Sequence, residues 1–181
     1  MQVESTPLPG VRLIRPAIHR DGRGYLQETW QQPRYAAAGI DAPFVQTNHA
    51  HSARHVLRGL HAQAHSPQGK LVYALRGTIW DVVADPRPDS ASYGRWFGVE
   101  LNDVEHTQLY VPPGYLHGFI VLSETADVLY QCTATYLADA QRGVRWDDDE
   151  LAIDWPLNGA QPLLSAQDAA LGGLADYNRA T

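Results

Sequence analysis

The feature that most constrains the fold is a succession of short apolar runs, separated by Gly, Pro and Asp, along most of the chain. After a first run at Val11–Ile14, the predicted strands are Phe44–His49, Val56–Ala62, Lys70–Leu75, Thr78–Ala84, Trp96–Leu101, Thr107–Val111, Phe119–Leu122 and Val128–Tyr136. Strands this short, at such close spacing, are typical of an antiparallel β-sandwich or barrel. The sequence therefore predicts a single all-β domain over residues 1–181, with Arg76-Gly77 as a hairpin turn.

The remaining segments predict loops and two short helices. His19–Gly24 is polar and Gly-rich and reads as a loop before a strand at Tyr25–Trp30, and Asp85–Ser92 reads as a second loop. Ala-rich sequence predicts a helix over Pro33–Gly39 that Gly39 ends. Ser165–Leu171 predicts a helix with Ser165 as its N-cap and Asp168 at its third helical position.

Charge and cysteine content exclude several classes of function. The net charge is −6 with only 14 Lys plus Arg, so a nucleic-acid partner is not expected, although a few basic residues could bind a small anion. Cys132 is the one cysteine, which excludes an intrachain disulfide and fits a reducing compartment. No leader is evident in Met1–Gly10, and no apolar run approaches the ~20 residues of a membrane helix. A cytoplasmic protein with no membrane partner is expected.

Five of the eight histidines lie between positions 49 and 65, which raises a metal site as a hypothesis. His49 and His51 would share one face of a strand, and His117 could be a third ligand. The spacing Pro-x-Gly-x-x-His that ends at His117 resembles the second half of the cupin signature and predicts a jelly roll. In the first half, His61-Ala62-Gln63 has Gln in place of a His and lacks the following Glu. Because amides bind transition metals poorly, a barrel without a functional metal is favoured over a metal-dependent cupin enzyme.

Without a metal, three polar residues in apolar surroundings become candidates for proton chemistry. His61 could be a general base, Lys70 a cation beside an oxyanion, and Tyr130 a general acid. Each also has a structural interpretation, as a core histidine, a strand-end lysine and a core tyrosine. Arg58 and His61 would point to opposite faces of a regular strand unless Gly59 marks a β-bulge.

The ordered motifs resemble the dTDP-4-dehydrorhamnose 3,5-epimerase family across nearly the whole chain. The most specific pieces are the sequences Arg-Gly-Leu-His ending at His61, Gly-Lys-Leu-Val containing Lys70, and Pro-x-Gly-x-x-His-Gly-Phe ending at Phe119. Further matches are Asp21-Gly22-Arg23-Gly24 with Glu28, Phe44 to His49, Tyr93-Gly94-Arg95-Trp96, Leu129-Tyr130, and Leu164 to Ala170.

The resemblance implies a cupin-type epimerase of dTDP-rhamnose biosynthesis that inverts carbons 3 and 5 of a dTDP-4-keto-6-deoxy sugar without a bound cofactor. It implies that His61 is the base, Asp168 its partner, Lys70 the oxyanion cation and Tyr130 the acid. The implied substrate-binding residues are Arg23, Glu28, Gln46, Asn48, Arg58, His117 and Tyr136. Arg23 and Glu28 would reach the other subunit of a homodimer that exchanges its N-terminal strand.

One departure from the family pattern lies beside the catalytic set. Gln167 stands where the family commonly has a basic residue, which would change a contact with the nucleotide. Close relatives that invert only carbon 3 or carbon 5 share the base and the fold, so a single-centre epimerase remains an alternative. A non-catalytic module that binds sugar nucleotides is the third hypothesis.

Overall fold

A computed structural model describes residues 1–180, which form thirteen β-strands and three short helices. The strands are β1 (Gln2–Ser5), β2 (Arg12–Arg15), β3 (Ile18–Asp21), β4 (Gly24–Gln27), β5 (Gln46–Ala53), β6 (Leu57–Gln63), β7 (Lys70–Arg76), β8 (Thr78–Ala84), β9 (Trp96–Asn102), β10 (Gln108–Val111), β11 (Leu116–Val121), β12 (Thr125–Cys132) and β13 (Gln141–Gly143). The helices are α1 (Gln32–Ala37), α2 (Ala166–Ala169) and α3 (Leu174–Ala180).

Two antiparallel sheets face each other and enclose the main core. One has six strands in the order β1-β2-β10-β7-β12-β5, and the other has five in the order β13-β6-β11-β8-β9. Val72 and Val128 of the first sheet pack against Val83 and Phe119 of the second in one buried cluster. The predicted all-β jelly-roll sandwich with short peripheral helices is therefore confirmed.

Peripheral segments bury the outer faces of both sheets. Tyr35 of α1 packs with Ile14 and Leu71 against the six-stranded sheet. Trp155 and Leu174, from the segment after β13, pack against the outer face of the five-stranded sheet. Because both faces of these strands are covered, their sequences read as apolar runs rather than as a strict alternation of apolar and polar residues.

The predicted hairpin at Arg76-Gly77 is wrong, although both strands beside it are present. β7 belongs to the six-stranded sheet and β8 to the five-stranded sheet, so Gly77 is a corner at which the chain changes sheets. Its φ is +77°, and a Cβ at this position would lie 2.2 Å from the carbonyl oxygen of Thr125. Only glycine fits such a corner.

The predicted loop His19–Gly24 is instead most of a separate β3–β4 hairpin. Its tight turn falls at Gly22-Arg23, where the Asp21 carboxylate accepts from the Arg23 backbone N–H at 2.8 Å. β5 and β12 are paired from Gln46↔Cys132 to Ala53↔Thr125, so β5 runs past its predicted end and β12 begins earlier than predicted. The sequence interpretation did not predict β1, β13 or α3.

Both predicted helices are present but shorter than expected. In α2, Ser165 is the N-cap as predicted, and its hydroxyl accepts from the Asp168 backbone N–H at 3.0 Å. The loop predicted at Asp85–Ser92 is also present. Within residues 1–180, none of the helices has the length and apolar character needed to cross a membrane.

Candidate active site

Two adjoining cavities between the sheets share four lining residues, namely His61, Lys70, Tyr130 and Gln141. The amide cavity, of about 300 Å³, is further lined by Gln46, Asn48, Ala62, Gln63, Gln68 and Tyr136. The dyad cavity, of about 320 Å³, is further lined by Arg58, His117, Phe119, Ser165, Gln167 and Asp168. A larger cavity of about 540 Å³ is lined by the prolines at 67, 86 and 88, and it contains none of the four predicted catalytic residues. Gln63 lines both that cavity and the amide cavity.

His61 is held by a carboxylate from the opposite end of the sequence. His61 Nε2 lies 2.5 Å from Asp168 Oδ1, and Ser165 Oγ donates to Asp168 Oδ2 at 2.9 Å. Burial acts to raise the pKa of the Asp168 carboxyl, but hydrogen bonds from His61, Ser165 and the Gly59 backbone together hold this pKa below its ordinary value. The carboxylate therefore stays ionised and can stabilise a positive charge on the imidazole. Because Asp168 occupies Nε2, Nδ1 is the ring nitrogen left for a substrate proton.

A β-bulge at Gly59 brings Arg58 and His61 to the same cavity. In the pairing of β6 with β11, His61 lies opposite His117 and Arg58 opposite Phe119, so β6 holds one extra residue. Gly59 has a φ of +117°, and a Cβ there would lie 2.7 Å from Gly118 Cα. The bulge considered from the sequence is present, and it turns two side chains three positions apart toward one site.

Lys70 and Tyr130 come from the six-stranded sheet, across the cavity from His61 on the five-stranded sheet. Burial lowers the pKa of the Lys70 ammonium, while Cys132 and Asp81 act more weakly in the opposite direction. Within the described residues, no hydrogen bond or ion pair involves that ammonium. Burial, together with the Cys132 thiol, raises the pKa of Tyr130, so its hydroxyl keeps its proton at neutral pH. The cavity thus holds an ammonium and a protonated phenol opposite an imidazole.

His117 belongs to a second histidine–aspartate pair. Its Nε2 lies 2.9 Å and 3.0 Å from the two carboxylate oxygens of Asp81, and both residues are buried. Sequence reasoning placed His117 in the site but missed Asp81. The signal was present, because Asp81 is a lone charge inside the apolar strand Thr78–Ala84.

The three histidines of the metal hypothesis do not come together. His49 and His51 do share one face of β5, but it is the exposed face, and both bond to Asp127 Oδ1, at 2.9 Å and 3.0 Å. His117 is buried in the other sheet, paired with Asp81. Over residues 1–180, no three His, Cys, Asp or Glu side chains are grouped so that they could hold a metal ion. The proposed ligand set is therefore wrong.

Most of the predicted substrate-binding residues line the two cavities. Gln46, Asn48 and Tyr136 line the amide cavity, while Arg58 and His117 line the dyad cavity. Sequence reasoning missed Gln63, Gln68 and Gln141 because neutral amides within a strand or loop carry no motif that indicates chemistry. Phe119 and Gln167 also line the dyad cavity, although neither was among the predicted site residues.

Arg23 and Glu28 lie outside both cavities. The Arg23 side chain is 90% exposed at the tip of the β3–β4 hairpin, where it pairs with Asp21. Glu28, just after that hairpin, pairs with Arg34 of α1 at 2.8 Å. Neither residue lines the amide cavity or the dyad cavity of its own chain.

Comparison with known proteins identifies the family to which this arrangement belongs. The family model for dTDP-4-dehydrorhamnose 3,5-epimerase matches residues 5–176. The chain belongs to the dTDP-4-dehydrorhamnose 3,5-epimerase family. The 3,5-epimerase of Pseudomonas aeruginosa is 42% identical to it over 177 residues, which cover 97% of each protein.

Solved structures of family members superpose closely on the chain. The dTDP-6-deoxy-D-glucose-3,5-epimerase of Legionella pneumophila, in complex with dTDP-4-keto-L-rhamnose, has a TM-score of 0.93 and 42% identity. The match covers 96% of this chain and 93% of that one. A 3'-monoepimerase of Streptomyces bikiniensis, in complex with dTDP-quinovose, has a TM-score of 0.90 and 34% identity. That match covers 97% of this chain and 90% of the monoepimerase chain. The family thus includes enzymes named for two inversions and for one.

Proposed function

We propose that this family member inverts carbons 3 and 5 of a dTDP-4-keto-6-deoxy-hexose and thereby forms dTDP-4-dehydrorhamnose. One observation carries the proposal. The His61–Asp168 pair lies on one side of the cavity, and Lys70 and Tyr130 lie on the other. Inversion of a carbon needs a base on one face of the sugar and a proton donor on the opposite face. Two opposed sheets supply these two positions.

The chemistry follows from the ketone at carbon 4, which makes the protons on carbons 3 and 5 acidic. His61 takes one of these protons, and the electron pair of the broken C–H bond moves to oxygen 4 as an enolate. Tyr130 then gives a proton to the other face of the same carbon, and solvent restores the protonation of Tyr130 and His61. The substrate's own ketone accepts the electrons, so the proposed reaction needs neither a metal nor an organic cofactor.

The electrostatics of the site match these tasks. Desolvation disfavours the Lys70 ammonium, and Asp81 and Cys132 offset this only weakly, so an enolate beside Lys70 would give it a stronger partner in the transition state. One preorganised oxyanion donor is typically worth ~3–4 kcal/mol. A general acid or base contributes roughly 10²–10⁴-fold. A raised pKa keeps the proton on Tyr130 until the enolate forms.

The nucleotide would bind along the amide cavity, with its diphosphate reaching Arg58 in the adjoining dyad cavity. An Arg fork suits phosphate oxygens, and Arg58 is already oriented by the bond from its Nε to Ser52 Oγ at 3.1 Å. Gln46, Asn48 and Tyr136 line the amide cavity and would flank the sugar or the base. The single buried thiol of Cys132 agrees with a cytoplasmic location.

A homodimer would bring Arg23 to the site as a second cation for the diphosphate, beside Arg58. In this proposal the β3–β4 hairpin reaches across to the partner subunit, so that Arg23 and Glu28 complete the partner's site. The hairpin pairs with neither main sheet, and its Leu26 is 73% exposed. Val104, which follows β9, is 70% exposed. These features suit a projecting arm covered by another subunit.

A mixed-subunit experiment tests this exchange. Arg23→Ala and His61→Ala, each inactive alone, are co-refolded in equal amounts. If arms are exchanged, half of the dimers carry one intact site, and activity returns to about a quarter of the wild-type value. If Arg23 serves its own subunit, mixing restores no activity.

Inversion at one carbon is the second candidate. The structural likeness to a 3'-monoepimerase favours it, because the same base and fold suffice for a single inversion. The number of inverted carbons then depends on how the sugar is seated between His61 and Tyr130.

Solvent deuterium incorporation tests the proposed function. The protein and dTDP-4-keto-6-deoxyglucose are incubated in heavy water, and carbons 3 and 5 are followed by NMR. Exchange with inversion at both carbons supports the proposal, exchange at one selects the single-centre reaction, and exchange at neither rejects both. His61→Ala should abolish exchange, whereas Tyr130→Phe should slow inversion more than exchange. Retained exchange in His61→Ala would remove the base assignment.

A further inference from the structure

Gln63 closes β6 at the position where metal-binding cupins place the second His of their His-x-His motif. The residue is only 6% exposed, although it lines two cavities. It takes no part in the proton chemistry proposed above. A buried amide must have its donor and acceptor groups satisfied, so its partners indicate what it does.

The Gln63 amide binds two backbone segments at once. Its Nε2 donates to the Ser66 carbonyl at 2.7 Å and to the Thr135 carbonyl at 3.3 Å. Its Oε1 accepts from the Leu137 backbone N–H at 2.7 Å. Two of these three bonds therefore fix the residues on either side of Tyr136.

A second amide holds Tyr136 itself. Gln46 Oε1 accepts from the Tyr136 backbone N–H at 2.8 Å, and Gln46 Nε2 donates to Asn48 Oδ1 at 3.0 Å. The segment Thr135–Leu137 lies after the end of β12 and has no regular secondary structure. The side chain of Tyr136 is nevertheless placed at the amide cavity, with the residue 49% exposed.

We infer that Gln63 is a positioning residue that holds the segment Thr135–Leu137 so that Tyr136 flanks the bound nucleotide sugar. This inference rests on the proposed function only through the role of Tyr136 in binding. The residue type fits the task, because the Gln63 amide donates to two carbonyls and accepts from one N–H, whereas a neutral imidazole has only one N–H donor and an ionised carboxylate has none. A position that is a metal ligand in other cupins thus becomes part of the scaffold for substrate binding.

Amide exchange tests the positioning role without any substrate. Gln63→Met keeps the side-chain length but removes all three bonds. The Leu137 N–H should exchange roughly tenfold faster or more, with the amides of β12 unchanged. Gln63→Glu, which still accepts from Leu137, should give a smaller increase and serves as a second variant if Gln63→Met does not fold. Gln161→Met, at an exposed position, is the matched control. Unchanged exchange at Leu137 in Gln63→Met would overturn the inference.

A double-mutant cycle tests the link to binding. Gln63→Met should raise KM about tenfold while kcat changes by less than about threefold, because the base, acid and cation are untouched. Combined with Tyr136→Ala, it should add nothing further to KM. If the two effects multiply, or if kcat falls instead of KM rising, Gln63 does not act through Tyr136. Failure of the wild-type protein to exchange deuterium would reject the proposed function, but it would leave the Leu137 result intact.

Discussion

Asp168→Asn is the most informative change to the proposed catalytic centre. Asparagine has nearly the shape of aspartate, so the α2 backbone and the N-cap bond to Ser165 should persist. The change removes the negative charge that lies 2.5 Å from His61 Nε2. In the proposed mechanism, that charge stabilises the imidazolium that forms when His61 takes the substrate proton.

The size of the effect follows from the environment of the pair. Asp168 is only 5% exposed, so water cannot take over the stabilising role of the lost charge. A hydrogen bond to a charged group contributes ~1.5–3 kcal/mol, and each 1.36 kcal/mol is a factor of ten in rate. Deuterium exchange at carbons 3 and 5 should therefore slow by about 10–150-fold, with KM changed little.

The measurement is the rate of deuterium incorporation at saturating substrate, followed by NMR. Asp176→Asn is the control, because Asp176 is an exposed carboxylate of α3 that pairs with Arg179 outside both cavities. Its exchange rate should equal that of the wild type. If Asp168→Asn exchanges deuterium within twofold of the wild-type rate, the carboxylate does not stabilise the imidazolium and the dyad has no catalytic role.

Three further predictions concern Lys70, the β-bulge at Gly59, and His106, a buried histidine outside both cavities. Lys70→Met should slow deuterium exchange by about 10²–10³-fold, measured by NMR, because the enolate loses its cation; an unaffected rate would exclude that role. Gly59→Ala should lower the free energy of unfolding by about 2–5 kcal/mol in urea titrations, because the added Cβ meets Gly118 at a positive φ. Gly22→Ala, with nothing within 4 Å, is its control, and equal losses would refute the reasoning. Burial, with a smaller contribution from Arg20, lowers the pKa of His106 while Asp103 raises it, so the unfolded chain takes up that proton first as the pH falls. When the pH falls from 7.5 to 5.5, His106→Gln should therefore lose less stability than the wild type, with the difference arising below about pH 6.5. Thermal melts at the two pH values measure this, and an equal loss in both proteins would contradict the reasoning.

Much of the sandwich could be predicted because its strands are marked by local sequence. Apolar runs such as Thr78–Ala84 match an observed strand at both ends. The pairing between strands could not be predicted, because it depends on contacts between distant residues. Gly77 illustrates the difference, since an Arg-Gly pair suits a hairpin turn and a corner between sheets equally well. In the folded chain the Thr125 carbonyl lies against Gly77, a contact that no local pattern indicates.

The site was predictable to the extent that its residues carry motifs. His61, Lys70 and Tyr130 lie in the ordered segments that resemble the family, and all three line one cavity. Gln63 was missed because two of its three hydrogen bonds reach a segment far away in sequence, whereas Asp81 could have been found as the lone charge of its strand. Gln63, for example, bonds to Thr135, 72 residues later. Such roles depend on the folded backbone rather than on any local pattern.

The distance along the chain between His61 and Asp168 has a consequence for when the protein becomes active. These two residues are 107 positions apart, and Asp168 comes from a segment that docks on β6 through the bond from the Leu57 N–H to the Leu163 carbonyl at 3.0 Å. The strands of both sheets all end by Gly143, so the carboxylate that pairs with His61 comes from sequence that follows them. Turnover would therefore report the docking of the segment after residue 163 and not only the formation of the two sheets.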